Sequence, residues 1–483
     1  MQSKFQLQTL LTATLLLTGA ARSQEMSTQH QEHSEMGVIR PEFPRFGRAQ
    51  EHAQGKLFTI EEALKLALES NPTLRQAEAE IRAAKARQQQ SGLYPNPTLG
   101  YTGDEIRGGS VGGGKQGFFL QQAIVTGGKL SLNRAAFAQD TKLAEVEAEE
   151  QHIRVQSAVK MAFLRVLAAQ ELLDARRDLA KIAQDSVETQ RRLMNTGQAD
   201  ESEVLEAEVD AERMRMAARM QENALLEEWR SLAAVVGLPE LPLATVSGDL
   251  EHGWPELSED AAIEAIAKES PAIRIAAAGE KRAEIIAMRA RREAIPDVLL
   301  RAGMEYNHET LGSIPFAKGW EGIAEASVQI PLFNRNQGNV AAARADRQRA
   351  TDERMRIALT LRERAASMVD QYTSSRLMAG EYRDEILPRA KKAYGLLVEK
   401  YGQMLASYPR VLGMQGRLYE LQIEYIFALE SVWTSGIALQ GFLLTDGLEA
   451  PARPGEVDRP IRETNVPVPE RTLPNAIGVP RNP

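Results

Sequence analysis

Apolar positions recur along this chain at two spacings. Leu172, Ala175, Leu179, Ile182, Ser186, Thr189 and Leu193 follow a 3-4-3-4 interval, as do Leu418, Leu421, Tyr425, Ala428, Val432, Ser435, Leu439 and Phe442. Such a seam belongs to helices lying side by side in a left-handed supercoil. Elsewhere the period is two. Val298, Leu300, Ala302, Met304 and Tyr306 alternate with Leu299, Arg301, Gly303, Glu305 and Asn307. Trp320, Gly322, Ala324, Ala326, Val328 and Ile330 alternate with Glu321, Ile323, Glu325, Ser327 and Gln329. One face is apolar or small and the other mostly polar. At about ten residues per strand, this pattern predicts membrane β-strands, with the even-numbered residues Val298 to Tyr306 towards lipid and the odd-numbered ones towards water.

The same elements are written twice. In the segments starting at Thr59 and Leu257, Pro72 falls on Pro271 and Pro97 on Pro296, each 199 positions apart (271 − 72 and 296 − 97). Two proline pairs in one register point to a duplication. Each copy reads as short helix, helix, strand, strand, very long helix, turn, long helix. Strands are expected near 97–106 and 116–125, then near 297–307 and 320–331. The first pair alternates less cleanly around a glycine-rich loop. Long hairpins are expected over 128–236 and 337–444, with Pro388 bending the second long helix. Ser70 and Ser270 are the expected N-caps ahead of the two prolines. Gly197 and Gly402 are the expected left-handed C-terminal caps.

Four strands cannot close a barrel, since the smallest membrane barrels use about eight. Open edges in lipid leave backbone groups unpaired at several kcal/mol each. The chain is therefore expected to assemble, two copies giving eight packed strands and three giving twelve with room for a pore.

The ends refine this picture. Lys4, the apolar run Leu10–Leu17 and Ala21-Arg22-Ser23 read as a secretory signal peptide over 1–23. Residues 24–56 read as a flexible arm. The repeats occupy 57–250 and 257–445, and 446–483, with eight prolines, reads as a disordered tail. The 483 residues are 43% hydrophobic and 26% charged, with a net charge of −8 spread along the helices, which leaves no basic footprint for nucleic acid. Cysteine is absent, so neither a disulfide nor a lipidated cysteine is available.

Little here reads as chemistry. Gly109–Lys115 matches the start of a phosphate loop, but Gln116 stands where the magnesium-binding hydroxyl belongs and a strand follows, not a helix. Gly108–Gly112 matches a nucleophile elbow with no base beside Ser110. Met26, His30, His33 and Met36 form a metal-friendly cluster on the arm, with nothing to fix ligand geometry. No catalytic or cofactor-binding set emerges.

With repeat, strands and heptads in hand, the chain resembles the TolC-type outer-membrane efflux family over about residues 57–445. The motifs EEALKLALESNP, GLYPNPTL, TGGK, IPLFNRNQG and EILPRA carry the likeness, with the turns NTGQADESEVL and KYGQMLASYPRVL. Ala123–Lys129 and Pro331–Gly338 look most like its heavy-metal branch, of the CzcC and CusC type. CusC-like members often carry a lipidated cysteine; its absence here leans towards the CzcC side.

The resemblance implies an α+β membrane protein. Its duplicated hairpins would form a periplasmic α-barrel, and four strands per chain a twelve-stranded outer-membrane β-barrel in a homotrimer. It further implies a periplasmic adaptor and a resistance-nodulation-division inner-membrane pump as partners, with heavy-metal cations as cargo. The turns Gly197, Gln198, Ala199, Asp200, Glu201, Ser202 and Gly402, Gln403, Met404, Leu405, Ala406, Ser407 match the family's periplasmic tips, where the adaptor docks and the tunnel narrows. Asp200 and Glu201, with Glu203 and Glu206, either favour cations there or simply begin a helix. The alternatives are drug or other small-molecule cargo, a non-transporting envelope coiled coil, or the adaptor itself.

Overall fold

A computed structural model describes residues 57–104, 106, 114–308 and 318–450. The expected signal peptide, arm, His/Met cluster and proline-bearing tail beyond residue 450 lie outside the described residues, as does most of the glycine-rich loop.

Each half begins with a helix pair broken at a proline: α1 (Ile60–Ser70) and α2 (Pro72–Ser91), then α5 (Glu259–Glu269) and α6 (Pro271–Arg292). The two breaks are capped differently. Ser270 accepts from the Ala272 N–H at 3.3 Å, as expected. Ser70 does not cap: it ends α1, and Asn71 takes the role, accepting from Thr73 N–H at 2.9 Å. The residue directly before the proline is the one whose extended backbone can cap.

Two strands follow each pair, β1 (Thr98–Asp104) and β2 (Lys115–Ile124), then β3 (Val298–Asn307) and β4 (Gly319–Val328). The long helices come next. In the first half, α3 (Lys129–Asn195) runs 67 residues, about 100 Å at 1.5 Å per residue, and turns into α4 (Glu201–Val236). In the second, α7 (Gln337–Glu381) passes through a π-helical turn, Tyr382–Ile386, into α8 (Leu387–Gly402), which returns as α9 (Tyr408–Gln440). The π turn stands immediately ahead of Pro388. Proline has no N–H for the carbonyl four residues back, and the Leu387 N–H reaches five residues back to Tyr382 instead.

The core lies where both hairpins meet the short helices. Phe163 and Leu167 of α3, Trp229 and Leu232 of α4, and Ile426 and Leu429 of α9 are all buried in one cluster. The segment joining the two halves straps across it. Val246 pairs with Phe58 in a parallel bridge, and Gln170 holds both its N–H (2.8 Å) and its carbonyl (3.2 Å). The Leu250 carbonyl accepts from the indoles of Trp254 and Trp433, each at 2.9 Å. Gly237, where α4 enters this strap, has φ +88, and a Cβ there would stand 2.9 Å from the Ser70 carbonyl oxygen. Both constraints demand glycine.

Candidate functional site

The four strands form one antiparallel sheet in chain order, β1-β2-β3-β4. Because side chains alternate, the register fixes both faces. Across β2, β3 and β4, Phe118 stands opposite Met304 and Met304 opposite Gly322; one step along, Leu120, Ala302 and Ala324 line up. On β1, Tyr101 pairs with Phe118 and Leu99 with Leu120. Val298, Leu300, Ala302, Met304 and Tyr306 thus share one face with the apolar residues of the other three strands, including those of the less regular first pair. That face is open. Leu99 is 75% exposed and Phe118 64%, although both are large and apolar. At the loop end, Tyr306 and Trp320 meet edge to face with ring centres 5.5 Å apart.

The opposite face is polar and internally paired. Lys115 Nζ lies 2.8 Å from Glu321 and 3.9 Å from Glu305, and Asn307 Nδ2 donates to Glu321 at 2.8 Å. Further along, Arg301 reaches Glu325 at 3.8 Å and stacks 4.0 Å over the Phe119 ring. Phe119 also covers Gly100, its partner on β1: a Cβ there would meet the ring. Sequence reasoning found the acids and Arg301 of this face but not Lys115, which it read as the end of a phosphate-loop match. Lys115 is instead the first residue of β2.

In both copies a tight corner joins sheet to long helix. Gly128 (φ 70) and Asn336 (φ 61) hold the left-handed position just before α3 and α7. At the first corner, the Asp297 carboxylate accepts from Thr126 N–H at 2.8 Å and pairs with Lys129 Nζ at 2.9 Å.

The far ends of the hairpins are two turns of equal length. In the first, Gly197 is left-handed (φ 72), Gln198 N–H bonds Leu193 O at 2.8 Å, and Gly197 N–H bonds Met194 O at 2.9 Å, a Schellman cap. Asp200 then opens α4 with a full capping box: it accepts from Glu203 N–H, and Glu203 accepts from the Asp200 N–H. Hydrogen bonds from Ser202 and Glu203 hold the Asp200 carboxyl below its usual range.

In the second turn, the expected left-handed Gly402 is not left-handed. Met404 is (φ 57), with Leu405 N–H bonded to Lys400 O at 2.8 Å and Met404 N–H to Tyr401 O at 2.9 Å. Met404 and Leu405 project into solvent, 79% and 72% exposed. Gly402, Gln403, Ala406 and Ser407 complete this turn, as Ala199, Glu201 and Ser202 complete the first. Ser407 opens α9, with proline in its first turn.

Among the described residues no helix is long and apolar enough to cross a membrane, and no cluster of three metal-ligating side chains occurs. The membrane question therefore rests on the sheet.

Comparison with known proteins agrees with this architecture. Residues 63–238 match the family model described as outer membrane efflux protein. The chain is 24% identical over 403 residues to the cobalt-zinc-cadmium resistance protein CzcC of Cupriavidus metallidurans, covering 83% of this chain and 92% of that one. It is 29% identical over 319 residues to protein CyaE of Bordetella pertussis, covering 62% and 66%. A crystal structure of CusC superposes with a TM-score of 0.64 at 17% identity, covering 80% of this chain and 91% of that one. Over residues 63–238 the chain is thus similar in sequence to the outer membrane efflux protein family, and it has the fold of the CusC channel.

Proposed function

We propose that the protein is the exit duct of a tripartite efflux system, working as a homotrimer in the outer membrane and exporting heavy-metal cations. The observation that carries this reading is the two-faced sheet. Its outer face carries apolar side chains on all four strands, interrupted by Gln116 and Gln122 of β2, its inner face carries paired charges, and among the described residues its two edge strands, β1 and β4, are each paired on one side alone. In lipid such edges must be paired. Three copies supply twelve strands and a lumen wide enough for water. Val298, Leu300, Ala302, Met304 and Tyr306 then face lipid, and Tyr306 with Trp320 sits where an aromatic girdle marks the interface.

The helices form the periplasmic duct. Their tips, around Gly197–Ser202 and Gly402–Ser407, are the docking points for a periplasmic adaptor that couples the duct to a resistance-nodulation-division pump. No residue does chemistry: the pump supplies the energy and the duct the path. Heavy-metal cargo is supported by the likeness to CzcC, whose name records cobalt, zinc and cadmium resistance. Deleting the gene and scoring growth on zinc, cobalt, cadmium and drugs tests the cargo. Loss of tolerance to the metals alone is the expected result; loss of tolerance to drugs alone would transfer the duct to small-molecule efflux.

A further inference from the structure

Charge is unevenly spread over the polar face of the sheet. At the loop end, Asp104 stands opposite Lys115 and Lys115 opposite Asn307; one step along, Glu305 stands opposite Glu321. Three carboxylates share this patch with a single base. Towards the helices the face carries one charge of each sign, Arg301 and Glu325, which meet at 3.8 Å.

Glu305 and Glu321 depart from ordinary cross-strand pairing, because like charges directly opposite each other repel. The Lys115 ammonium relieves this. It lies between the two, 2.8 Å from one oxygen of Glu321 and 3.9 Å from Glu305. Asn307 Nδ2 donates to the other oxygen of Glu321 at 2.8 Å. Glu305 is buried beside them, where water screens the charges poorly.

Without the ammonium, the same groups would suit a hard divalent cation. They offer oxygen ligands alone, from neighbouring strands, and the Asn307 amide can turn its oxygen inwards to add a third. In the folded chain both oxygens of Glu321 are instead taken by donors from β2 and β3, and tethering gives those donors a high effective concentration against ions in solution.

A duct has to release what it carries, so any resting place along its lumen must be weak. Resting on the duct reading and its cation cargo, we propose that Lys115 controls release at the mouth of the lumen: it is a tethered cation that fills the Glu305–Glu321 pair and stops the pair from holding a passing divalent metal. Three copies place three such filled pairs around the exit. Glu305, Glu321 and Asn307 are the latent ligands, and Lys115 keeps them from acting as a site.

Manganese tests this, because it prefers oxygen ligands and its paramagnetic signal distinguishes free from bound ion. Full-length trimers of wild type, Lys115→Met, Lys115→Arg and Lys115→Met with Glu321→Gln are purified in detergent and titrated with Mn2+. Lys115→Met should bind one more Mn2+ per copy than wild type, with an affinity roughly tenfold or more above the wild-type background, since affinity follows ligand charge. Lys115→Arg, which keeps a cation in reach, and the double variant, which lacks one carboxylate, should both match wild type. In planar bilayers, Mn2+ should reduce the current through Lys115→Met at a concentration roughly tenfold below that needed for wild type. Equal binding by wild type and Lys115→Met, an extra site that survives Glu321→Gln, or an extra site without effect on the current would each overturn the proposal and leave the duct reading standing. If Lys115→Met does not form trimers, Lys115→Gln replaces it; failure of both while Lys115→Arg assembles would make the lysine a structural counter-ion and overturn the proposal as well. A single-copy mass for the wild-type protein in detergent would overturn the duct reading, and this proposal with it.

Discussion

The Asp297 carboxylate, at the start of one repeat's sheet, lies 2.9 Å from the ammonium of Lys129, at the start of the other repeat's long helix. Lys129 is 3% exposed while Asp297 remains partly open to solvent. The pair ties the two halves together where strand turns into helix, and Thr126 adds a second bond to the same carboxylate oxygen. Removing the acid strands a buried cation, so Asp297→Ala should destabilise the trimer by about 2–4 kcal/mol, the lower end reflecting the exposed side of the pair. Heating detergent-solubilised trimers and scoring dissociation on gels measures it. Lys129→Met with Asp297→Ala should recover part of the loss, because no unpaired charge remains.

Met404 occupies a left-handed backbone that costs a side-chain-bearing residue roughly 1–2 kcal/mol, and nothing beside Gly402 requires glycine. Met404→Gly should therefore tighten the second tip, the gain being reduced by the greater freedom of glycine in the unfolded chain. Gly402→Val should be tolerated apart from a small helix-propensity cost. Gly197→Val should fray the first tip, since it must adopt the left-handed conformation with a β-branched side chain. Hydrogen exchange at Gln198 and Leu405, whose amides close the two caps, reports each change. Equal protection at Gln198 in wild type and Gly197→Val would contradict this account.

How much of this was legible beforehand depended on how local each signal is. The strand faces follow from alternation alone, so the parity of Leu300, Ala302 and Met304 could be read without knowing their neighbours. The heptad seams Leu172–Leu193 and Leu418–Leu439 were legible for the same reason, whereas Phe442, expected to continue the second, lies past the end of α9 with a left-handed backbone. The second tip was not, because the Gly-Gln pair in both turns suggested a register that the fold rejects. The turn is governed by where α9 begins: Ser407 holds the position before it, proline sits in its first turn, and the left-handed residue falls three positions earlier, as Gly197 does before Asp200. Counting back from the following helix would have found Met404. Lys115 was missed because a glycine-rich neighbourhood matches many short patterns, and only strand pairing shows that it faces Glu321.

The sheet makes a sided prediction. Leu300 and Ala302 lie on the exposed apolar face, whereas Ser327, the partner of Leu299, lies on the polar one. Arg at Leu300 or Ala302 should reduce outer-membrane trimers, at about 2–4 kcal/mol per chain if the site is near mid-bilayer. Ser327→Arg should leave trimer yield unchanged. Quantifying heat-resistant trimers in membrane fractions compares them, and equal loss in both variants would reverse the assigned faces.

Burial pushes the carboxyls of Glu228 on α4 and Glu430 on α9 above their usual range; Arg165 on α3 opposes the shift in both, while the charge of Glu227 adds to it at Glu228 and that of Glu228 adds to it at Glu430. A carboxyl whose pKa is raised on folding binds its proton more tightly in the folded state. Its ionisation therefore costs stability at pH above the folded value, and that cost is relieved as pH falls through the folded value towards the ordinary 4.5. Glu430→Gln removes the ionisation and with it the repulsion from Glu228. The variant should melt at a higher temperature than wild type at pH 7.5. The two curves should converge as the pH is lowered towards 4.5, where the wild-type side chain carries a proton of its own. Thermal unfolding of detergent-solubilised protein across that range reads the difference. A variant less stable at pH 7.5, with the gap constant down to pH 4.5, would mean that Glu430 is held as a stabilising anion and that Arg165 outweighs its burial.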